Sequence, residues 1–461
     1  MALIKNKNFW LIIALIAIIM ILIVANSDYS YIILASLCLA LLLVFFWFYP
    51  QIGLYAVIIL YPFNFWEFVY SDINVSWCDM VALALFISWL AKTLYLHYSG
   101  KQEISLKNFP GWFFMLLFTI ASALSLMDVG RDNFWLSVKF LVRPIIFFYL
   151  MFIVLPVNIF DNFKKLFTAL KVSFGLGLGL AFIGIWSILF PPFPGILRAM
   201  PVAILGIWPL GTNQNALAEC FVVLIPIGLI LFWYEKDVLM KNIYLLGTLI
   251  MVGVNLLTLS RAAWLAMVTE LFLLLVWRYK DSAKRLFTNY VFYIILLLLG
   301  PIVYLMYDLA TSNVMVSSNI SRFKLIEISL NMFKQYPLFG AGIGTFVSYV
   351  SQTSWFILEY GVAFDAHGFI FKTLAESGIF GMASFILILI YILYVMFLGY
   401  QRYNKTSYAL LLLGMVLVVV GGIVFQLFST DYYMARFWLP MGLALASLSL
   451  VNKNFNINKK I

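Results

Sequence analysis

Residues 308–376 read DLATSNVMVSSNISRFKLIEISLNMFKQYPLFGAGIGTFVSYVSQTSWFILEYGVAFDAHGFIFKTLAE. This is the only long segment of the chain that is not a hydrophobic span. It holds Ser and Asn residues, a glycine-punctuated turn after Pro337, and His367, one of 2 histidines in the chain. Beyond Glu376 the chain turns at once to SGIFGMASFILILIYILYVMF. Apolar runs of this kind, about 17–25 residues long, are what a helix needs to cross ~30 Å of hydrocarbon. A membrane β-barrel would instead alternate apolar and polar residues in segments of about ten.

Composition agrees with that contrast. Of 461 residues, 65% are hydrophobic and 10% charged, where a soluble domain carries roughly 25% charged residues. The expected fold is an all-α, polytopic integral membrane protein. It has about 12–14 transmembrane helices and one large periplasmic or extracellular loop that contains amphipathic helices. Candidate spans lie near 9–25, 30–49, 51–68, 77–96, 111–127, 134–155, 166–190, 215–233, 242–258, 261–278, 289–308, 376–398, 407–428 and 433–451. The third follows the second across Pro50-Gln51 and reads equally well as re-entrant. The start, MALIKNKNFWLIIALIAIIMILIV, places basic residues before an apolar run without a small-x-small cleavage site, so it reads as a retained first helix. The chain divides into an N-terminal bundle (1–204), central helices (205–307), the large outer loop (308–375) and C-terminal helices (376–461).

The net charge of +10 belongs to the cytoplasmic loops and implies no nucleic-acid partner. With the N-terminus inside, most Lys and Arg residues fall on the inner side, as the positive-inside rule expects. The 308–376 loop then lies outside. The exceptions, outer cations that invite a reason, are Arg131, Arg198, Arg261, Arg322, Lys324, Lys334, Lys372 and Arg436. Cys38, Cys78 and Cys220 lie in or beside apolar spans with no CxxC spacing and read as small core residues.

Arg261 stands in LTLSRAAWLAMV, with Ser260 as a plausible N-cap. A cation is poorly placed in the first turn of a helix unless an anion meets both the guanidinium and the free N–H groups. An Arg reaching for lipid headgroups explains the position as well. Arg322 opens an amphipathic stretch in which Phe323, Ile326, Leu330 and Phe333 recur at helical spacing, ending before Pro337. The turn PLFGAGIGTF that follows, with Gly340 and Gly342, permits a tight path and close approach of a ligand. A GxGxG without a preceding strand is weak as a nucleotide motif. A lone His is most often structural, but His367 is polar, outside and able to titrate near neutral pH. Asp365 is close enough to orient it. Glu376, nine residues on, would face away from it in a continuous helix. Asn213 and Asn215 in GTNQNALAE could bond sugar hydroxyls or simply cap a helix. Glu67 and Asp72 form no close carboxylate pair, and no cofactor or metal site is expected.

Together these features resemble the O-antigen ligase and polymerase superfamily of bacterial envelope glycosyltransferases. The resemblance rests on an outer Arg-x-x-x-Leu (Arg261 to Leu265), an Arg on an amphipathic helix in a long outer loop, and the Pro-Leu-Phe-Gly-x-Gly-x-Gly-x-Phe turn. A His then follows, with a Glu nine residues later before Gly378 and Gly381. It covers roughly 205–385. It implies transfer of a glycan from an undecaprenyl-diphosphate carrier to an acceptor hydroxyl at the outer face of the cytoplasmic membrane, without metal or nucleotide sugar. It also implies that Arg261, Arg322 and His367 carry the activity. Candidate substrate contacts, read from the residues themselves, are Asn213, Asn215, Gly340, Gly342, Asp365, Glu376 and Arg436. Expected partners are the lipid-linked oligosaccharide donor, a glycan or lipid A-core acceptor, membrane lipids and a chain-length regulator protein. Gly368 departs from the family's usual polar residue, often Asn, after the histidine.

The chemistry fits the residues in its own right. Arg recognises phosphate oxygens bidentately, and a His near pH 7 suits a general base on a hydroxyl. Polymerisation of surface polysaccharide repeat units is preferred over ligation to lipid A core. A protein oligosaccharyltransferase is a third acceptor reading, although such relatives usually carry additional outer sequence. A flippase is the alternative of another class, but it should show repeated halves and ionisable groups near the midplane, and no clear repeat is visible here.

Overall fold

The computed structural model describes residues 30–70, 73–101, 105–279 and 313–458. The expected spans 9–25 and 289–308, and the loop cations Lys280, Lys284 and Arg285 between them, lie outside the described residues. Contacts divide the chain into two units, one within 1–57 and 79–104, the other within 58–78 and 105–461.

In the first unit, α1 (Ser30–Phe48) meets α2 (Pro50–Leu60) at a bend of 115°. Pro50 has no N–H to give the preceding turn, so it starts a new helix rather than extending the old one. The expected third span, 51–68, is corrected here. Helix α2 stops at Leu60, because Pro62 disfavours helical geometry at Tyr61. The chain then passes into the second unit and forms an antiparallel hairpin there, β1 (Glu67–Tyr70) on β2 (Ile73–Ser76), with Glu67 opposite Ser76. Helix α3 (Trp77–Tyr98) follows directly, and it is pinned in its unit by Ser88 Oγ donating to the Leu43 carbonyl at 2.8 Å and Lys92 Nζ to that of Trp47 at 2.8 Å.

The second unit carries the site. Its helices are α4 (Trp112–Leu124), α5 (Arg131–Ile159, with widened turns around Pro144), α6 (Phe163–Leu189), α7 (Gln214–Tyr234), α8 (Val238–Leu257) and α9 (Arg261–Trp277). After the undescribed stretch come α10 (Asn313–Gln335), α11 (Phe346–Gln352), α12 (Ser354–Tyr360), α13 (Phe369–Tyr403), α14 (Ala409–Gln426) and α15 (Ala435–Asn458). Among the described residues 7 helices are long and apolar enough to cross a membrane, or up to 8 if the bent α1–α2 pair is one span. The protein is an all-α, multi-pass membrane protein.

Helix α7 is the core of this unit. Its Ala218 and Val222 pack with Ala263 and Ala266 of α9 and Phe425 of α14. Small side chains let the three backbones approach closely, which drives helix association where lipid removes the hydrophobic incentive. One buried polar cluster interrupts this core. Glu219 of α7 accepts from Gln426 Nε2 at 2.7 Å and lies 2.9 Å from Arg436 Nε of α15. Unpaired, each charge would cost several kcal/mol of desolvation.

Helix α10 ends before Pro337, as its sequence predicts. Leu325, Ile328 and Met332 pack against Phe346, Val350 and Phe356 of α11 and α12. Phe323, on the apolar stripe read from the sequence, is 71% exposed, on a face neighbouring the one that α11 and α12 cover.

The turn Pro337–Gly344 docks on α13, which breaks at Gly378 (φ 63°, ψ −165°). Ala341 N donates to the Ala375 carbonyl and Gly342 N to that of Glu376, each at 3.0 Å, while Ile379 N donates to Pro337 at 3.0 Å. The Glu376 carboxylate accepts from Phe346 N at 3.0 Å. A Cβ at Gly340 would lie 2.3 Å from the Glu376 carbonyl carbon. Gly340→Ala is therefore expected to lower stability by about 1–3 kcal/mol through overpacking, in addition to the strain of its positive φ. Thermal unfolding in detergent beside Gly361→Ala checks this, because Gly361 has a similar φ of +75° but open space around it.

Candidate functional site

Two cavities share walls at one end of the second unit. The larger, about 930 Å³, is lined by Asn213, Asn215, Asp365, His367, Tyr433 and Arg436 among others. The smaller, about 290 Å³, is lined by Arg261, Ala262, Leu265, Asn319, Arg322 and Phe428. Helix α10 gives Ser321 to the first and Arg322 to the second. The segment after α14 likewise gives Ser429 and Thr430 to the first and Phe428 to the second.

The smaller cavity is cationic. Arg261 is the first residue of α9, and its Nη2 donates to Asn319 Oδ1 at 2.9 Å. Ser260 holds the N-cap position but does not cap: its hydroxyl makes no cap bond and is buried without a hydrogen-bond partner. The expectation of a Ser260 cap is corrected accordingly. Leu259 before it has a positive φ of 56°, which turns the chain into the helix without presenting the hydroxyl to the free N–H groups. Arg322 Nε is buried and has no hydrogen-bond partner among the described residues. Burial, and then the like charge of Arg261, pull the Arg322 guanidinium below its ordinary value. Arginine does not give up its proton in a protein, so an anion placed between the two would relieve the repulsion. An open helix N-terminus adds about half a positive charge to the same place.

The larger cavity has aromatic and apolar walls with polar groups set into them, and its charges are paired. His367 is half-buried, two residues ahead of α13. Gly368 has φ 99°, and a Cβ there would meet the Leu427 carbonyl oxygen at 2.6 Å. The departure from a polar residue after the histidine has this local cause. Asp365 accepts from Lys372 Nζ at 2.7 and 2.6 Å, from the Tyr433 hydroxyl at 2.7 Å and from Ala366 N at 2.8 Å. Arg436, expected as a substrate contact, faces the cavity while held by Glu219. Asn213 caps α7, its Oδ1 accepting from Asn215 N at 2.9 Å, and both residues also line the cavity.

Seven of the residues singled out in sequence thus line one cavity or the other. Gly340, Gly342 and Glu376 do not: they form the docking of the glycine turn on α13, and a Cβ at Gly342 would strike Val129 at 2.1 Å. Sequence reasoning passed over Lys372 and Tyr433. Lys372 was visible as a cation on the outer side, seven residues from Asp365, but Tyr433 had no signal. Among the described residues no three His, Cys, Asp or Glu side chains converge as a metal-binding group.

A bundle of apolar helices with a paired-arginine cavity beside a histidine-bearing one defines a membrane protein equipped to hold an anionic group next to a polar ligand. Residues 246–386 match the family model described as O-antigen ligase. The matched segment contains Arg261, Arg322, the glycine turn and His367, so the chain is similar to the O-antigen ligase and polymerase superfamily over the stretch that carries these residues. That similarity supports membrane glycosyl transfer at a general level. No curated protein matches the chain.

Proposed function

We propose that this protein transfers a glycan from an undecaprenyl-diphosphate carrier to an acceptor hydroxyl at the outer face of the bacterial cytoplasmic membrane, independently of metal. The observation that carries the reading is the pair Arg261 and Arg322. They share one cavity with an amide, Asn319, as the only hydrogen-bond partner described for either. In this reading the diphosphate sits between the two guanidiniums and the glycan extends into the larger cavity. The acceptor hydroxyl loses its proton to a ring nitrogen of His367 as its oxygen bonds to the anomeric carbon. The bond from that carbon to the diphosphate oxygen breaks on the opposite side, and the electron pair leaves with the lipid diphosphate. Direct displacement inverts the anomeric configuration. Preorganised cations aimed at the developing charge supply the largest share of the acceleration, and they do the work that a divalent ion does for other diphosphate leaving groups.

The acceptor proposed is another lipid-linked repeat unit, so the product is a surface polysaccharide chain. The description of the matched family as O-antigen ligase favours lipid A core as the second reading. Purified protein, given undecaprenyl-diphosphate-linked repeat units in detergent with EDTA, is expected to build longer lipid-linked glycans with inverted linkages. Elongation that appears only when lipid A core is added moves the acceptor. Loss of transfer in EDTA, or retained anomeric configuration, overturns the mechanism.

A further inference from the structure

Lys372 lies in the first turn of α13 and is 2% exposed. Both facts count against a cation there. Burial strips an ion of its hydration at a net cost, and a helix N-terminus is already positive. What Lys372 does is hold Asp365, with both carboxylate oxygens within 2.7 Å of its Nζ. Asp365 also takes the Tyr433 hydroxyl, and the Tyr433 ring lies 4.4 Å from Nζ. On the other side of His367, Gly368 seats against the Leu427 carbonyl. The four-residue turn Asp365-Ala366-His367-Gly368 is therefore fixed at both ends, with His367 between the anchors.

We propose that Lys372 is a positioning residue for the transfer step: through Asp365 it fixes the turn that presents His367 to the larger cavity and cancels the carboxylate charge beside it. The inference rests on the general-base reading of His367. A purely structural ion pair would serve as well if replaced by apolar groups, because a buried pair contributes little net stability. Among the described residues, the titratable groups that line the cavity with His367 are Tyr360, Asp365, Tyr433 and Arg436. Behind them Lys372 is 3.9 Å from Glu376, Tyr432 is buried, and Arg436 is held by Glu219.

The test is the pH–rate profile of transfer by full-length variants, read beside the parent and His367→Ala. Lys372→Met leaves a carboxylate uncompensated, which favours the protonated imidazole, so the acid limb moves to higher pH. Asp365→Asn leaves an ammonium uncompensated, and the limb moves to lower pH. The double variant removes both charges and returns the limb to the parent's position. Each single variant also lowers kcat about 10- to 100-fold with KM within about twofold. Tyr433→Phe loosens Asp365 without stranding a charge. It is expected to lower kcat about fivefold at unchanged KM and unchanged thermal transition, and it serves where a single charge removal prevents folding. Limbs that stay in place or move the same way in both singles, or a Tyr433→Phe kcat equal to the parent's, overturn the positioning role while leaving His367 as base. Full activity in His367→Ala overturns the base reading and this inference with it.

Discussion

Arg322→Ala is expected to lower transfer by about 10²–10³-fold while leaving the thermal transition unchanged or raised. The activity loss follows from removing one of the two guanidiniums that meet the leaving diphosphate. The stability effect follows from the sign of the electrostatics. In the folded protein the charged form of Arg322 is disfavoured by burial and by Arg261, so a neutral side chain relieves a repulsion rather than breaking a bond. Sites that carry such uncompensated charge trade stability for function. Arg261→Ala should behave alike in activity, but it gives up the 2.9 Å bond to Asn319. Arg322→Lys should not restore the rate, because a point charge on a flexible stem cannot grip two oxygens of one phosphate. Transfer rates with saturating donor, read beside differential scanning of each variant, decide this. A variant that loses activity only in proportion to its folded fraction would remove the arginine pair from the mechanism.

His367→Ala is expected to lower kcat by about 10²–10⁴-fold, the usual contribution of a general base, with donor binding retained because the arginine cavity is untouched. The sign of the pH effect is fixed by the role. A base works deprotonated, so the parent's rate rises with pH through the imidazole's titration, and the residual rate of the variant should lack that limb. Donor affinity measured on the catalytically dead variant separates the two parts of the site: His367→Ala should bind lipid-linked donor as the parent does, and Arg322→Ala should not.

Most of the fold was legible because lipid imposes a simple code: continuous apolar runs, with the one long polar segment between them. Length alone misjudged 51–68, where a single proline at position 62 outweighs the apolar run around it. The cavities were legible where the unusual residue itself lines them, as with Arg261, Arg322 and His367, since a cation or a lone imidazole stands out against an apolar background. It was illegible where the partner is remote. The glycines at 340 and 342 read as a ligand loop, because nothing in SGIFG announces that the helix breaks at Gly378 and takes that loop as its missing partner. Asp365 was placed beside the histidine but not with its two holders, one seven residues on and the other 68 residues away.

The break in α13 has a consequence for how the protein is made. Around Gly378 the helix cannot satisfy its own backbone, and the groups it exposes are met by Pro337, Ala341 and Gly342 from the turn ahead of it. Unsatisfied amides are costly in hydrocarbon, so the nascent span 369–403 is ill suited to leave the translocon while that turn is still on the ribosome's side. In the proposed orientation the polar segment must cross first and wait, and the span then settles around it. Insertion of this span and docking of the glycine turn are thereby coupled, and a chain stalled before that point would present a half-inserted helix to the quality-control proteases of the membrane.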